Sequence, residues 1–185
     1  MEDYLILYQE HLFETIDLSI AQLMKKVKFM NKKLHDLMAF LCEKVSHKND
    51  LSKARLTKLV YLTDWKMSQK HGRTISNIDW IFNHYGPYVD DVIDLARNNS
   101  DFTVLTTTNA YGSLKELIQF VGNIKDCASI TKEEDSIISE VVQETDPMYF
   151  NKFIDHVYST FPVKVSNRYA RFDLPRLAEI ERTES

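Results

Sequence analysis

Apolar positions recur at helical intervals along most of this chain, and no glycine or proline interrupts them before Gly72. So long a stretch without either backbone breaker predicts helices joined by polar turns. Tyr4, Leu7, Tyr8, Leu12, Ile16, Leu23 and Val27 trace a first stripe, less regular than the others and broken near Ser19. In "NKKLHDLMAFLCEKVS", Leu34, Leu37, Met38, Leu41, Cys42 and Val45 fall on one helical face, so Cys42 is expected in the core. Ser52 has the side chain of an N-cap and precedes a third stripe of Leu56, Leu59, Val60, Thr63 and Met67. Lys70 and His71 suit the negative end of that helix dipole, and Gly72 can take the left-handed conformation just past it.

The stretch "FNHYGPYVDD" reads as an elbow: Gly86 tolerates backbone angles other residues resist, and Pro87, with fixed φ and no amide hydrogen, is expected to open a helix over "PYVDDVIDLARN". Val89, Val92, Ile93 and Ala96 would face inward there. Asp90 and Asp91 would sit in the first turn, each stabilising the positive dipole end by roughly 0.3–1 kcal/mol. "DFTVLTTT" is rich in β-branched residues and predicts a strand, "NAYG" a turn, and "LKELIQFV" a second strand or a short helix; a hairpin is favoured. Thr131 and Glu134 have capping-box spacing ahead of Ile137, Ile138, Val141 and Val142. Asp146 and Pro147 are expected to cap and begin a last helix with Phe150, Phe153, Ile154, Val157 and Tyr158 on its stripe, ending at Phe161-Pro162. The remainder, "SNRYARFDLPRLAEIERTES", shows little periodicity and is expected as a surface segment or tail. The expected fold is mainly α (α+β), a helical domain with a small β-hairpin and an extra N-terminal helix. Residues 1–30 form the extension, 31–163 the domain and 164–185 the tail.

Composition narrows the class. At 185 residues, 44% hydrophobic and 27% charged, the chain is sized for one soluble globular domain. No apolar run approaches the roughly 20 residues a membrane helix needs, and the acidic N-terminus is unlike a secretory signal, so a cytoplasmic protein is expected. A net charge of −4 counts against a surface built to neutralise phosphates. Lys25, Lys26, Lys28, Lys32 and Lys33 form a local basic cluster, but a solvated helix face explains it better than nucleic acid does, because aromatic interleaving is thin. Cys42 and Cys127 stand alone, without C-x-x-C spacing, and are expected as reduced thiols.

Enzymatic constellations are missing. The histidines at 11, 35, 47, 71, 84 and 156 form no helical ligand pair, and there is no nucleophile elbow, phosphate-cradling loop or dinucleotide fingerprint. No catalytic, metal or cofactor-binding residues are therefore assigned, and no cofactor is expected. A hydrolase using His84 with Asp90 or Asp91, or His156 with Asp155, would require a pocket gathering groups such as His84, Asp64 and Arg73.

Taken together and in order, "LSKARLTKLVYLTDW" and "HGRTISNIDWIFNHYGPYVDDVIDLA" resemble the signature of the Panacea domain, the SocA-like antitoxin family. The likeness extends through "ITKEEDSIISEVV" and "FIDHVYSTFPV" and covers roughly residues 35–163. Its signature positions here are Lys58, Tyr61, Asp64, Trp65, Gly72, Arg73, Trp80, Tyr85, Gly86 and Pro87, as scaffold more than contacts. The resemblance implies a mostly helical, generally non-enzymatic domain that binds and neutralises a protein toxin encoded beside it. Family partners include toxic synthetases of the alarmone type, and some members act instead as adaptors that present the toxin to a protease, a role that would suit phage defence.

The extension before residue 30 has no counterpart in the shared core, which makes Tyr4, Leu7, Tyr8, His11 and Leu12 candidate partner contacts through an amphipathic helix laid in a groove. Packing on its own domain or on a second copy of the chain stays equally open. Tyr85 and Tyr88 flank the elbow and are candidates too: a tyrosine buries ring area while its hydroxyl stays available, a combination enriched at interfaces, although a core role is as well supported.

Overall fold

The computed structural model describes residues 31–108 and 112–184. Tyr4, Leu7, Tyr8, His11 and Leu12, the expected extension over 1–30, Lys25, Lys26 and Lys28, and the turn residues 109–111 lie outside the described residues. Seven α-helices and two antiparallel two-stranded sheets make up what is described. None of the described helices is long and apolar enough to cross a membrane.

Helix α1 (31–44) buries the stripe its spacing predicts: Leu34, Leu37, Met38, Leu41 and Cys42 line the core, followed by Val45. Burial pushes the Cys42 thiol up to about 12, as expected of a thiol packed in the core. Helix α2 (Lys53–His71) starts and stops where its ends predict. Ser52 accepts from the Arg55 amide, and Gly72 at φ +66° donates its amide to Ser68 O. Its burial goes beyond the single stripe expected, because α3, α4, α5, α7, β2 and β4 all contact it. Twelve of its residues are buried, including the polar Thr57, Lys58, Thr63, Asp64 and Ser68. Thr63 and Ser68 satisfy their hydroxyls on the carbonyls of Leu59 and Asp64, four residues back.

Pro87 does not open a helix. Strands β1 (Ile81–Asn83) and β2 (Gly86–Tyr88) form a tight hairpin in which Pro87 pairs with Phe82, and helix α3 (Asp91–Arg97) begins only afterwards. The far side of β1 is covered by residues 169–172: Tyr169 donates its amide to Phe82 O at 2.6 Å, Phe82 to Ala170 O at 2.9 Å, and Phe172 to Trp80 O at 2.9 Å. With β1 central, β2 is an edge strand, where the missing proline N–H costs no ladder bond. Asp91 does lie in the first turn of α3, and Val89, Val92, Ile93 and Ala96 are buried as expected.

The larger hairpin pairs β3 (Phe102–Thr108) with β4 (Leu114–Phe120) from Phe102↔Phe120 to Thr108↔Leu114. This settles "LKELIQFV" as a strand. Its outer edge is held by Leu51, whose carbonyl accepts from Ile118 N at 2.9 Å.

Helix α4 (Lys132–Thr145) opens on the capping box expected of Thr131 and Glu134. The Glu134 carboxylate is buried and accepts from Thr131 N at 2.9 Å, Lys33 Nζ at 2.6 Å and Arg73 at 2.9 Å, which ties α1 and the segment just after α2 to the start of α4. Lys33 also donates to Ser129 O, so this member of the lysine cluster is engaged within the fold. Burial pushes the Glu134 carboxyl up, but Lys33, the Thr131 amide and Arg73 outweigh it and hold it below its ordinary 4.5. A depressed carboxyl pKa contributes stability that is present above the unfolded value and lost as pH falls through the folded one. Urea unfolding from neutral to acid pH is therefore expected to show stability falling below pH 4.5. Glu134→Gln should flatten that acid limb and cost about 1–3 kcal/mol at neutral pH.

Asp146 does not cap the next helix. It ends α4 and accepts from the amide and hydroxyl of Ser46. Arg55 donates to Thr145 O at 2.8 Å and Met148 O at 3.1 Å and lies 4.5 Å over the Phe153 ring. This clamp holds residues 146–149 out of a helix, so α5 runs from Phe150 to Tyr158. A short α6 (Phe161–Val165) follows. The segment expected as a tail instead folds as α7 (Leu174–Glu184), which packs on α2 through buried Leu174 and Ala178 and a Gln69 to Glu181 hydrogen bond of 2.6 Å.

Candidate partner-binding surface

Two signature positions, Asp64 and Trp80, meet at one buried carboxylate. Asp64 of α2, wholly buried, accepts from the amides of Ile75 at 2.8 Å and Ser76 at 2.9 Å, from the Ser76 hydroxyl, and from Trp80 Nε1 at 2.9 Å. Burial raises its carboxyl above the ordinary value while these donors work against that rise. The chain after Gly72 is thereby wrapped onto α2. Tyr61 stands edge-on to Trp80 at 5.5 Å and shares a 2.9 Å hydrogen bond with Thr160, Trp65 is buried, and Arg73 bridges to Glu133 and Glu134. Lys58 is 3% exposed, has no hydrogen-bond or ion-pair partner among the described residues, and is pulled down to about 8 by burial.

The Asp64 wrap delivers the elbow to the surface. Gly86 takes φ +89° with the Tyr158 ring directly behind it, and Pro87 is buried. Tyr85, at the hairpin tip, is 81% exposed. Beside it the His84 ring stands edge-on to Tyr169 at 5.3 Å. Arg168 lies 3.3 Å from Nδ1 as donor, which leaves the ring proton on Nε2, 2.5 Å from the Tyr169 hydroxyl that accepts it. Tyr169 is 62% exposed and adopts φ +69°, a left-handed conformation unusual for a non-glycine residue. Tyr88 is half-buried and its hydroxyl donates to Asp90 at 2.7 Å; burial, then the Asp90 charge, pushes that hydroxyl up to about 12. Of the two elbow tyrosines, Tyr85 is thus presented outward and Tyr88 is tied to its neighbour.

At the other end of α5 lies a groove of about 1130 Å³ between the larger hairpin, the start of α2 and the 146–151 segment. Leu114, Tyr149 and Phe150 line it, with Tyr149 89% exposed. Charges along its walls are matched within the fold: Arg97 and Lys53 reach Glu116, and Lys115 reaches Asp50. The periodic pattern places Phe150 on a buried stripe and does not single out Tyr149, Tyr169 or Leu114. Their aromatic and aliphatic character is visible along the chain, but their exposure follows from the Arg55 clamp and the 169–172 pairing, both of which join distant segments.

The groups a hydrolase would have to gather are each engaged with different partners: Asp64 with Ser76 and Trp80, Arg73 with Glu133 and Glu134, and His84 with Arg168 and Tyr169. His156 faces Glu144 at 3.5 Å.

No curated protein and no solved structure matches the chain. The family model described as antitoxin SocA-like, Panacea domain, matches residues 56–161, from the second turn of α2 through α3, both hairpins, α4 and α5. That span is more than half the chain and contains the Asp64 wrap and the elbow, so this protein belongs to the SocA-like antitoxin family that carries the Panacea domain.

Proposed function

We propose that this chain is a cytoplasmic antitoxin that neutralises a protein toxin by binding it directly, without catalysis, through the exposed aromatic groups at the two ends of α5. The observation that supports this is the outward presentation of Tyr85, Tyr149 and Tyr169 on a domain of an antitoxin family. Tyrosine and arginine are enriched where protein interfaces derive most of their affinity. Nine helical residues span about 13 Å, and a standard interface patch of roughly 800 Å² per partner is about 30 Å across. One toxin can therefore cover both the elbow and the mouth of the groove.

Co-expression with the product of the adjacent reading frame tests this reading. The neighbour is expected to be toxic alone, to be rescued by this chain, and to form a stable complex with it at unchanged toxin half-life. Tyr85→Ala and Tyr149→Ala should each weaken that complex at least tenfold, about 1.4 kcal/mol, with melting temperature preserved. A harmless neighbour, or a double variant that binds as well as the native chain, would sink the proposal. Shortened toxin half-life would replace occlusion by delivery to a protease.

A further inference from the structure

Two neighbouring residues of α1 and a third from far along the chain meet beside the first turns of α1. The ligand atoms of His35, Asp36 and Cys127 all lie within 4.8 Å of one another. His35 Nδ1 is 2.8 Å from Asp36 Oδ1, and its Nε2 is 3.1 Å from Asp101 Oδ2. Asp36 and Cys127 are buried, and the second Asp36 oxygen accepts from Ser129 N at 2.9 Å. We propose that His35, Asp36 and Cys127 form a binding site for a borderline-soft divalent cation of the zinc class.

A neutral imidazole carries one ring proton. With that proton on Nε2 and donated to Asp101, the Nδ1 lone pair faces an Asp36 oxygen, and the Cys127 sulfur lies within 4.8 Å of both. Nitrogen, oxygen and sulfur donors gathered in this way form a set that zinc binds.

Asp101 then occupies the outer position usual for a metal-ligating histidine, fixing the tautomer and ring plane from the far nitrogen. Bond lengths of about 2.0–2.3 Å in a tetrahedral site separate ligand atoms by about 3.3–3.8 Å. The contacts present need to open by only about half an ångström at Nδ1 and Oδ1, and the 4.8 Å limit leaves the thiolate within a modest side-chain adjustment. The fourth position is left for water or a donor from a partner. Two residues beyond Cys127, the buried Ser129 hydroxyl has no hydrogen-bond partner among the described residues, which places a polar group on the same loop. A bound ion would fasten α1 to the loop that follows β4, joining positions that the chain separates by most of the domain.

The test uses the full chain, purified through chelator and titrated with cobalt(II), then zinc(II). One equivalent of cobalt should give the near-ultraviolet thiolate charge-transfer band and the intense visible bands of a four-coordinate ion, both erased by zinc. Cys127→Ser should remove the charge-transfer band. His35→Gln should weaken binding at least tenfold, and Asp101→Asn, which touches no metal, should weaken it about 10–100-fold while keeping the stoichiometry at one. Thermal melts in chelator establish that each variant is folded. Absence of the charge-transfer band in the folded native chain would overturn the proposal irrespective of any variant, and equal cobalt binding by native and Cys127→Ser proteins would do the same.

Discussion

Asp64→Ala is expected to destabilise the fold by about 4–6 kcal/mol, an amount comparable with the whole stability of many domains of this size. Its four donors, the amides of Ile75 and Ser76, the Ser76 hydroxyl and Trp80 Nε1, would lose their common acceptor in a site closed to water. A buried donor left unsatisfied costs about 1–3 kcal/mol, and only the hydroxyl can rotate to seek another partner. Asp64→Asn keeps the volume but turns one acceptor into a donor facing other donors, so a smaller loss of about 2–4 kcal/mol is expected. Equilibrium denaturation measures both. A loss under about 1 kcal/mol for the alanine variant would mean that the wrap after Gly72 is held by packing alone. Because that wrap presents the elbow, toxin binding should fall in step with the folded fraction.

Gly86→Val is the second large effect, expected at about 3 kcal/mol. At φ +89° an added Cβ would lie 3.2 Å from Tyr158 Cε2 and 3.4 Å from Cζ, so the variant combines left-handed backbone strain with a displaced ring. Gly72 provides the internal control. It has φ +66° but nothing within 4 Å of the added carbon, so Gly72→Ala should show the conformational cost alone, about 1 kcal/mol. The excess at Gly86 belongs to Tyr158, and a double-mutant cycle with Tyr158→Leu should recover part of it. Preserved melting with selectively lost toxin capture would show that Gly86 acts at the interface and not in the fold.

Much of this architecture was legible along the chain, for reasons confined to a few residues at a time. The Ser52 cap, the Gly72 stop and the Thr131 and Glu134 box all rest on partners within one helical turn, and the core face of α1 that carries Cys42 shows in its helical spacing. Where the expected element depended on a distant partner, it changed. Pro87 had the local character of a helix start, but β1 and the 169–172 segment made it part of an edge strand. Asp146-Pro147 likewise had the character of a cap and first turn, until Arg55 took the carbonyls of Thr145 and Met148. The last residues looked aperiodic because α7 buries only a narrow face, Leu174 and Ala178, against α2.

The candidate surface divides in the same way. Tyr85 and Tyr88 could be named as candidates because a Gly-Pro elbow is a local feature, but which of them faces outward was open until the structure placed Tyr85 at the hairpin tip and tied Tyr88 to Asp90. Tyr149, Phe150 and Tyr169 could not, since exposure records what fails to pack against a side chain, and that is known only when every other element is in place. By itself the sequence determined the helical class, both ends of α2, the start of α4 and the family. The tertiary structure alone decided which polar groups meet: four donors on Asp64, Lys33 and Arg73 on Glu134, and Cys127 beside His35 and Asp36. Periodicity and capping are short-range properties of the backbone, whereas these meetings join residues far apart in the chain and exist only once the helices have packed.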